Sequence, residues 1–292
     1  PPSHMRNDMN SDDIKTAAKT LTVINPFDLS PVDTIAENTA EDVERALATA
    51  HGLFRDRSAW LPVHARLAVL ERTVTLMEQR AHQLGETAIR EGGKPLVDTN
   101  AEIARAIDSV KATIAALRTD AGEVVPMDLT PATGHRMAFT QHEPIGVVVA
   151  VSAFNHPLNL IVHQVAPAVA TGCPVIVKPA PDTPLSCLAF IDILHEAGLP
   201  KEWAQVIVTS DNDVAEPLVT DPRVGFFSFI GSARVGWMLR SKLAPGTRCA
   251  LEHGGAAPVI VTGDSDVYEV REARSEEHTS ELQSLAYLVC RL

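Results

Sequence analysis

The chain is poor in aromatic residues and in cysteines, and the shortage of cysteines excludes two classes of protein. Aromatic residues make up 4% of the 292 residues, and the four cysteines lie at positions 173, 187, 249 and 290. Four cysteines in a chain of this length do not form a disulfide framework, and their spacing is not that of metal ligands. We therefore expect no metal site and a reducing, cytoplasmic environment.

The chain also lacks a long apolar run and a basic surface. Its longest apolar run, residues 145–151, is far shorter than the roughly 20 residues that a membrane-spanning helix needs. The polar N-terminus lacks the order of a signal peptide, and we expect residues 1–20 to be disordered. A net charge of -12 argues against binding to nucleic acid or to an anionic membrane.

What is present is a pattern of apolar residues, at 45% hydrophobic content, sufficient for a large core and about two domains. Helical spacing covers three N-terminal segments: residues 40–53, 65–92 and about 97–117. Strand-like segments at 136–140 and 145–151, joined through Glu143-Pro144, predict a hairpin at about 135–148.

From residue 145 onward, apolar runs alternate with helical stretches. Strands are expected near 145–151, 174–178, 205–209, 225–229 and 248–251, and helices near 158–170, 184–197, 213–219 and 233–243. Buried strands separated by helices predict a parallel sheet covered on both faces. The fold class is therefore α/β, a doubly wound, nucleotide-binding sheet of the Rossmann type with additional N-terminal helices.

Four short motifs follow one another beside the apolar runs. They are Phe154-Asn155-His156-Pro157, Val177-Lys178-Pro179, Gly231-Ser232-Ala233-Arg234-Val235-Gly236 and Leu251-Glu252-His253-Gly254-Gly255. In this order they resemble the NAD(P)-dependent aldehyde dehydrogenase family, over about residues 21–266. The resemblance implies an NAD(P)-binding domain at 21–250, with the hairpin at about 135–148 as part of the oligomerisation element. It also implies the start of a catalytic domain at 251–267, and a homodimer or homotetramer for the full-length protein.

The resemblance implies two catalytic residues. The side-chain amide of Asn155 would donate to the oxyanion of the reacting aldehyde, and Glu252 would activate the water that releases the acyl group. A partly desolvated pocket would raise the pKa of Glu252, as a general base requires. Taken alone, Asn155 also suits a turn before Pro157, and Glu252 also suits a solvated loop.

Seven residues are predicted to bind the cofactor. They are Ala153, Phe154, Lys178, Phe229, Gly231, Ser232 and Val235. The small residues of the turn at 231–236 admit a pyrophosphate to a helix N-terminus, and Lys178 would bind the adenosine ribose. Ser210 and Asn212 stand where many relatives have glycines, so they are not included. Pro181 stands where NAD-preferring members often carry glutamate, so both NAD and NADP stay open.

The C-terminal segment does not continue the pattern. Residues 274–284 match the translation of a common sequencing adapter, and the alternative is a genuine polar helix. Cys290, the first cysteine after Glu252, lacks the context of the family nucleophile. We therefore expect residues 268–292 to be a non-native tail and most of the catalytic domain to be missing.

The resulting hypothesis is that the parent enzyme oxidises a small aldehyde to a carboxylic acid with NAD(P), through a cysteine thioacyl intermediate. Residues 91–95 and 122–128 look like those of members that act on lactaldehyde or phosphonoacetaldehyde. One alternative is a catalytically dead nucleotide-binding fragment. A second is an acylating, CoA-dependent semialdehyde dehydrogenase, against which Glu252 argues because many acylating relatives lack that base.

Overall fold

The computed structural model describes residues 19–255, 260–266 and 268. Predictions for the N-terminal 18 residues, for Cys290 and for the adapter-like segment lie outside the described residues. Thr20, which we expected to be disordered, begins the first strand, β1 (Thr20–Ile24). This strand pairs antiparallel with β2 (Pro31–Ala36) in a two-stranded hairpin that was not predicted.

Four helices follow the hairpin. They are α1 (Ala40–Arg55), α2 (Val63–Gln79), α3 (Ala81–Gly92) and α4 (Leu96–Thr119). Helix α1 begins with a reciprocal cap, in which Thr39 accepts from the backbone N–H of Asp42 and the Asp42 carboxylate accepts from the N–H of Thr39. The single helix predicted at 65–92 is wrong, since two helices meet at Arg80.

The next pair of strands, β3 (Val124–Val125) and β4 (Ala138–Phe139), is antiparallel. The hairpin expected at about 135–148 is therefore wrong, because β4 pairs with β3 and not with the strand that follows it. That following strand, β5 (Val147–Val151), is buried along four of its five residues and belongs to the main sheet. A strand buried on both faces needs cover on both sides, which a two-stranded ribbon does not provide.

The main sheet has five parallel strands in the order β7-β6-β5-β8-β9. Besides β5, its strands are β6 (Val175–Lys178), β7 (Ala204–Val206), β8 (Val224–Ile230) and β9 (Arg248–Glu252). The helices between them are α5 (Asn159–Thr171), α6 (Leu185–Glu196), α7 (Asn212–Ala215), α8 (Pro217–Thr220) and α9 (Ala233–Arg240).

Two hydrophobic cores cover the two faces of this sheet. Along β5, Val148 and Ala150 enter the core that contains helices α2, α4, α5 and α6. Val147 and Val149 enter the second core, which contains α1 and α8 and is bordered by α9. The alternation follows from the two-residue period of a strand. The predicted doubly wound α/β sheet is confirmed, and within the described residues no helix is long and apolar enough to span a membrane.

Candidate active site

The predicted site residues follow strands that end at one edge of the sheet. Across that edge Val151 is paired with both Lys178 and Phe229, and Phe229 is paired with Leu251. The carboxyl ends of parallel strands meet at the same edge, where open α/β sheets bind ligands. The four motifs are therefore brought to a common edge, as their order along the chain predicted.

The segment that carries Asn155 joins β5 to α5. Asn155 is half-buried, and its side-chain Oδ1 is fully buried without a hydrogen-bond partner in the described part of the chain. An unpaired buried amide oxygen costs about 1–3 kcal/mol. Such groups are rare in folded proteins, where an ordered water, an ion or a bound ligand usually satisfies them.

A buried carboxylate on α4 holds this segment in place. Glu102 is 1% exposed, and its Oε1 accepts from the backbone N–H groups of Leu158 at 2.9 Å and Asn159 at 3.0 Å. Its Oε2 accepts from Lys94 Nζ at 2.9 Å, and Lys94 Nζ lies 2.5 Å from His156 Nδ1. Burial alone would raise the pKa of Glu102, but the bonds from His156 and Asn159 and the Lys94 charge hold that pKa below its usual value.

A second buried carboxylate, on α3, caps α6. Glu91 is 2% exposed and accepts from the N–H groups of Leu185 and Ser186 and from the Ser186 hydroxyl. Burial raises the pKa of Glu91 to about 7, against the opposing effect of the hydrogen bonds from Ser186 and Leu185. The role of neither glutamate stands out in the sequence, because a helical glutamate is usually a surface residue.

Lys178 is the last residue of β6, as expected, and its side chain is half-buried. Burial lowers the pKa of its ammonium group, and the negative charge of Glu37 opposes that shift. Ala153 is half-buried, and Phe154 is 47% exposed. Phe154 borders a cavity of about 700 Å³ beneath the β1–β2 hairpin, together with Gly92 and Gly93.

The turn between β8 and α9 has the predicted position. Ser232 caps α9 by accepting from the N–H of Val235 at 3.4 Å. A Cβ at Gly231 would lie 2.6 Å from the ring of Phe229, which is 5% exposed. Phe229 thus packs beneath the turn, and no larger residue fits at 231 without displacing it. An open helix N-terminus with a close-fitting glycine suits a phosphate group.

Glu252 lies beside this turn, since the N–H of Gly231 donates to the backbone carbonyl of Glu252 at 3.0 Å. It is the last residue of β9 rather than a residue that follows the strand. The expectation of a partly desolvated carboxylate is wrong for the described residues, because the Glu252 side chain is exposed on the terminal strand of the sheet. The neighbouring His253 packs edge-on against Phe229 and Trp237 instead.

The cysteines, Arg105 and His163 are weaker candidates for the site, and the structure does not favour them. Cys173 and Cys187 are buried, and burial raises the pKa of the Cys187 thiol. Cys249 is half-buried within β9. Arg105 is exposed on α4, and His163 hydrogen bonds with Ser109 on the surface. None of the three described cysteines therefore has the environment of a reactive thiolate.

Comparison with known proteins defines the class. Residues 14–279 match the model of the aldehyde dehydrogenase family, so the chain belongs to that family. The resemblance inferred from the motifs is confirmed, whereas the predicted domain boundaries and the site residues stay predictions.

Individual relatives agree with this class. The chain is 33% identical to 3-sulfolactaldehyde dehydrogenase from Priestia aryabhattai over 90% of its length and 54% of the relative's. The NADP-dependent glyceraldehyde-3-phosphate dehydrogenase of Bacillus halodurans C-125, solved with NADP, has a TM-score of 0.79 at 28% identity, covering 87% of this chain and 53% of that one. An NAD-dependent benzaldehyde dehydrogenase from Corynebacterium glutamicum has a TM-score of 0.78 at 29% identity, covering 88% and 56%. The chain thus spans about half the length of the relatives it matches.

Proposed function

We propose that this chain is the nucleotide-binding half of an NAD(P)-dependent aldehyde dehydrogenase that converts a small aldehyde to a carboxylic acid. The observation that carries the proposal is the hydrogen bond from the Gly231 N–H to the Glu252 carbonyl. It joins the turn that precedes α9 directly to the strand that bears the assigned general base. Residues that are 21 positions apart in the sequence are thereby neighbours at the sheet edge.

The cofactor is assigned to Lys178, Gly231, Ser232 and Val235, with Ala153, Phe154 and Phe229 bordering it. The ammonium group of Lys178 binds the adenosine ribose, and the α9 N-terminus binds the pyrophosphate. When bound, NAD(P)+ supplies the acceptor for the hydride that leaves the substrate. The tight packing of Gly231 on Phe229 is consistent with this assignment, because it excludes a side chain from the turn that precedes α9.

The reaction is assigned to Asn155 and Glu252. The Asn155 amide donates a hydrogen bond to the oxygen that becomes negatively charged when a thiolate adds to the aldehyde carbonyl. Glu252 takes a proton from the water that then attacks the thioester and frees the acid. The attacking cysteine belongs to a part of the whole protein other than the described residues. Glu252 favours hydrolysis over transfer of the acyl group to CoA.

The test on this chain is calorimetric titration with NAD+ and NADP+. We expect at least one of them to bind with a stoichiometry of one per chain, and a Lys178→Met variant to bind it more weakly. Binding of neither nucleotide contradicts the proposal. For the whole enzyme, the measurement is NAD(P)H formation with a panel of small aldehydes, including lactaldehyde and semialdehydes.

Assembly as a homodimer or homotetramer belongs to the same proposal. Supporting it are four exposed apolar side chains on and near the β3–β4 ribbon, which are Val124, Leu129, Met137 and Phe139. Exposed apolar groups of this kind mark contact surfaces between protein chains. A cytoplasmic location stays a prediction from the cysteine content.

A further inference from the structure

Glu37 is a buried carboxylate at the same edge of the sheet, and no step proposed above uses it. It follows β2 directly and is 9% exposed. The next residue is tied to the chain beyond β7: the Asn38 N–H donates to the Val208 carbonyl at 2.8 Å, and the Val208 N–H donates to Asn38 Oδ1 at 2.7 Å. Two backbone-directed bonds therefore fix where the Glu37 side chain lies.

The two oxygens of this carboxylate accept different numbers of hydrogen bonds. Oε2 accepts from the Ser210 N–H at 2.8 Å and lies 3.4 Å from Thr209 Oγ1 and 3.5 Å from Lys19 Nζ. Among the described residues, Oε1 accepts only from the Ser210 hydroxyl at 3.0 Å, which lies equally close to Oε2. A hydroxyl donates one proton and a carboxylate oxygen accepts at two positions, so Oε1 keeps acceptor capacity.

Glu37 is negatively charged at neutral pH. Its pKa is held below the ordinary value, first by the bond from the Ser210 N–H, against the opposing effect of burial, and further by the Ser210 hydroxyl and Lys19. Because Glu37 is largely buried, salt screens its charge less than it screens the charge of an exposed carboxylate.

The carboxylate is bonded to the chain beyond β7, and β7 pairs with β6, the strand that ends at Lys178. The Ile207 N–H donates to the Val177 carbonyl at 2.8 Å, so the chain beyond β7 runs beside Lys178, and Ser210 follows three residues later. The charge of Glu37 acts on the Lys178 ammonium. Asp182, the carboxylate nearest to Lys178 in the sequence, is exposed at the cavity beneath the hairpin.

We propose that Glu37 sets the cofactor preference of this site, accepting a hydrogen bond from the 2′-hydroxyl of NAD+ and disfavouring the 2′-phosphate of NADP+. The inference rests on the assignment of Lys178 to the ribose. A hydroxyl is a donor that the free position of Oε1 can use. A phosphate monoester carries about -1.5 to -2 charges at pH 7 and only accepts hydrogen bonds, so it is repelled by an ionised carboxylate.

The positive charge of Lys19 opposes the repulsion of a 2′-phosphate by Glu37. Lys19 Nζ lies 3.2 Å from Ser210 Oγ, but its side chain is 63% exposed. Because solvent and salt screen an exposed ammonium group, it offsets the buried carboxylate only in part.

The experiment titrates the 292-residue chain with NAD+ and with NADP+ by calorimetry. We expect the unaltered chain to bind NAD+ more tightly. Glu37→Gln keeps the shape and an oxygen acceptor for Ser210 but removes the charge, and we expect it to raise the affinity for NADP+ relative to NAD+ by about tenfold. Glu86→Gln is the control, because it removes the same charge from the exposed face of α3 and should leave the ratio unchanged.

The outcomes separate this inference from the function it rests on. Tighter binding of NADP+ by the unaltered chain overturns the role of Glu37, and that measurement needs no variant. An unchanged ratio in a Glu37→Gln chain with native circular dichroism also overturns it. Binding of neither nucleotide by the unaltered chain overturns the proposed function itself.

Discussion

The segment that carries Asn155 and the strand that carries Glu252 lie at one edge of the sheet, but the protein holds them differently. The Asn155 segment follows a central strand, and the buried Glu102 anchors its far end with two backbone hydrogen bonds. Glu252 is exposed on β9, the terminal strand of the described sheet, where its backbone pairs with β8 and accepts from the Gly231 N–H. The segment that carries Asn155 is thus held in place by residues of the described chain. The surroundings that a general base needs are not supplied by the described residues.

Removing the anchor should have the largest effect. Glu102→Ala leaves the Lys94 ammonium, 7% exposed, without its carboxylate and frees two buried N–H groups. We expect the free energy of unfolding to fall by about 3–5 kcal/mol. Urea denaturation measures it, and Glu252→Ala is the matched control, expected to stay within about 0.5 kcal/mol of the unaltered chain. Similar losses in the two variants would abolish the contrast.

The pH dependence of stability should sharpen the contrast between the two buried carboxylates. The folded-state pKa of Glu91 is about 7, above its ordinary 4.5, so the folded chain keeps a proton that the unfolded chain releases between these values. The contribution of Glu91 is therefore full below pH 4.5 and falls as the pH rises to 7, by about 3 kcal/mol in all. Glu102, with its lowered pKa, contributes in the opposite sense, losing stability as the pH falls.

The measurement is urea denaturation at pH 5.5 and pH 8. We expect the unaltered chain to lose about 2 kcal/mol more than Glu91→Gln over this interval, because glutamine does not titrate. An equal change in both chains would mean that Glu91 titrates normally when folded.

A substitution in the glycine turn should lower the stability by a smaller amount. Gly231→Ala places a Cβ against the ring of Phe229, so we expect a loss of about 1–3 kcal/mol in stability and weaker binding of the nucleotide. In the double variant Gly231→Ala with Phe229→Leu, the smaller side chain should restore part of the stability. Thermal unfolding and calorimetric titration measure the two effects. An additive loss in the double variant would show that the ring is not what excludes a side chain.

Much of the fold could be predicted because burial leaves a regular pattern. The strands and helices of the main sheet lie close to their expected positions, since each strand is an apolar run and each helix has an apolar face. The β1–β2 hairpin was missed because only Val23 of its eleven strand residues is buried, so alternation was weak. The break at Arg80 was missed because the helical spacing continues through it.

The site was predicted only where short motifs carry it. Asn155, Lys178, Gly231 and Glu252 all reach the expected edge, because parallel strands bring their ends together. Glu102 and Glu37 were not found, because their partners lie far away in the sequence: Glu102 binds Leu158 across 56 positions and Glu37 binds Ser210 across 173. Contacts at such separation leave no local signal.

The peptide group between Ile230 and Gly231 belongs to the turn that we propose as the nucleotide site, and its N–H also holds the end of β9. A shift of this turn on binding of the nucleotide would therefore act directly on the backbone of Glu252, which β8 also pairs with. We therefore expect substitutions at Gly231 and at Glu252 to influence each other. A substitution that the turn tolerates must also preserve the pairing of β9 with β8.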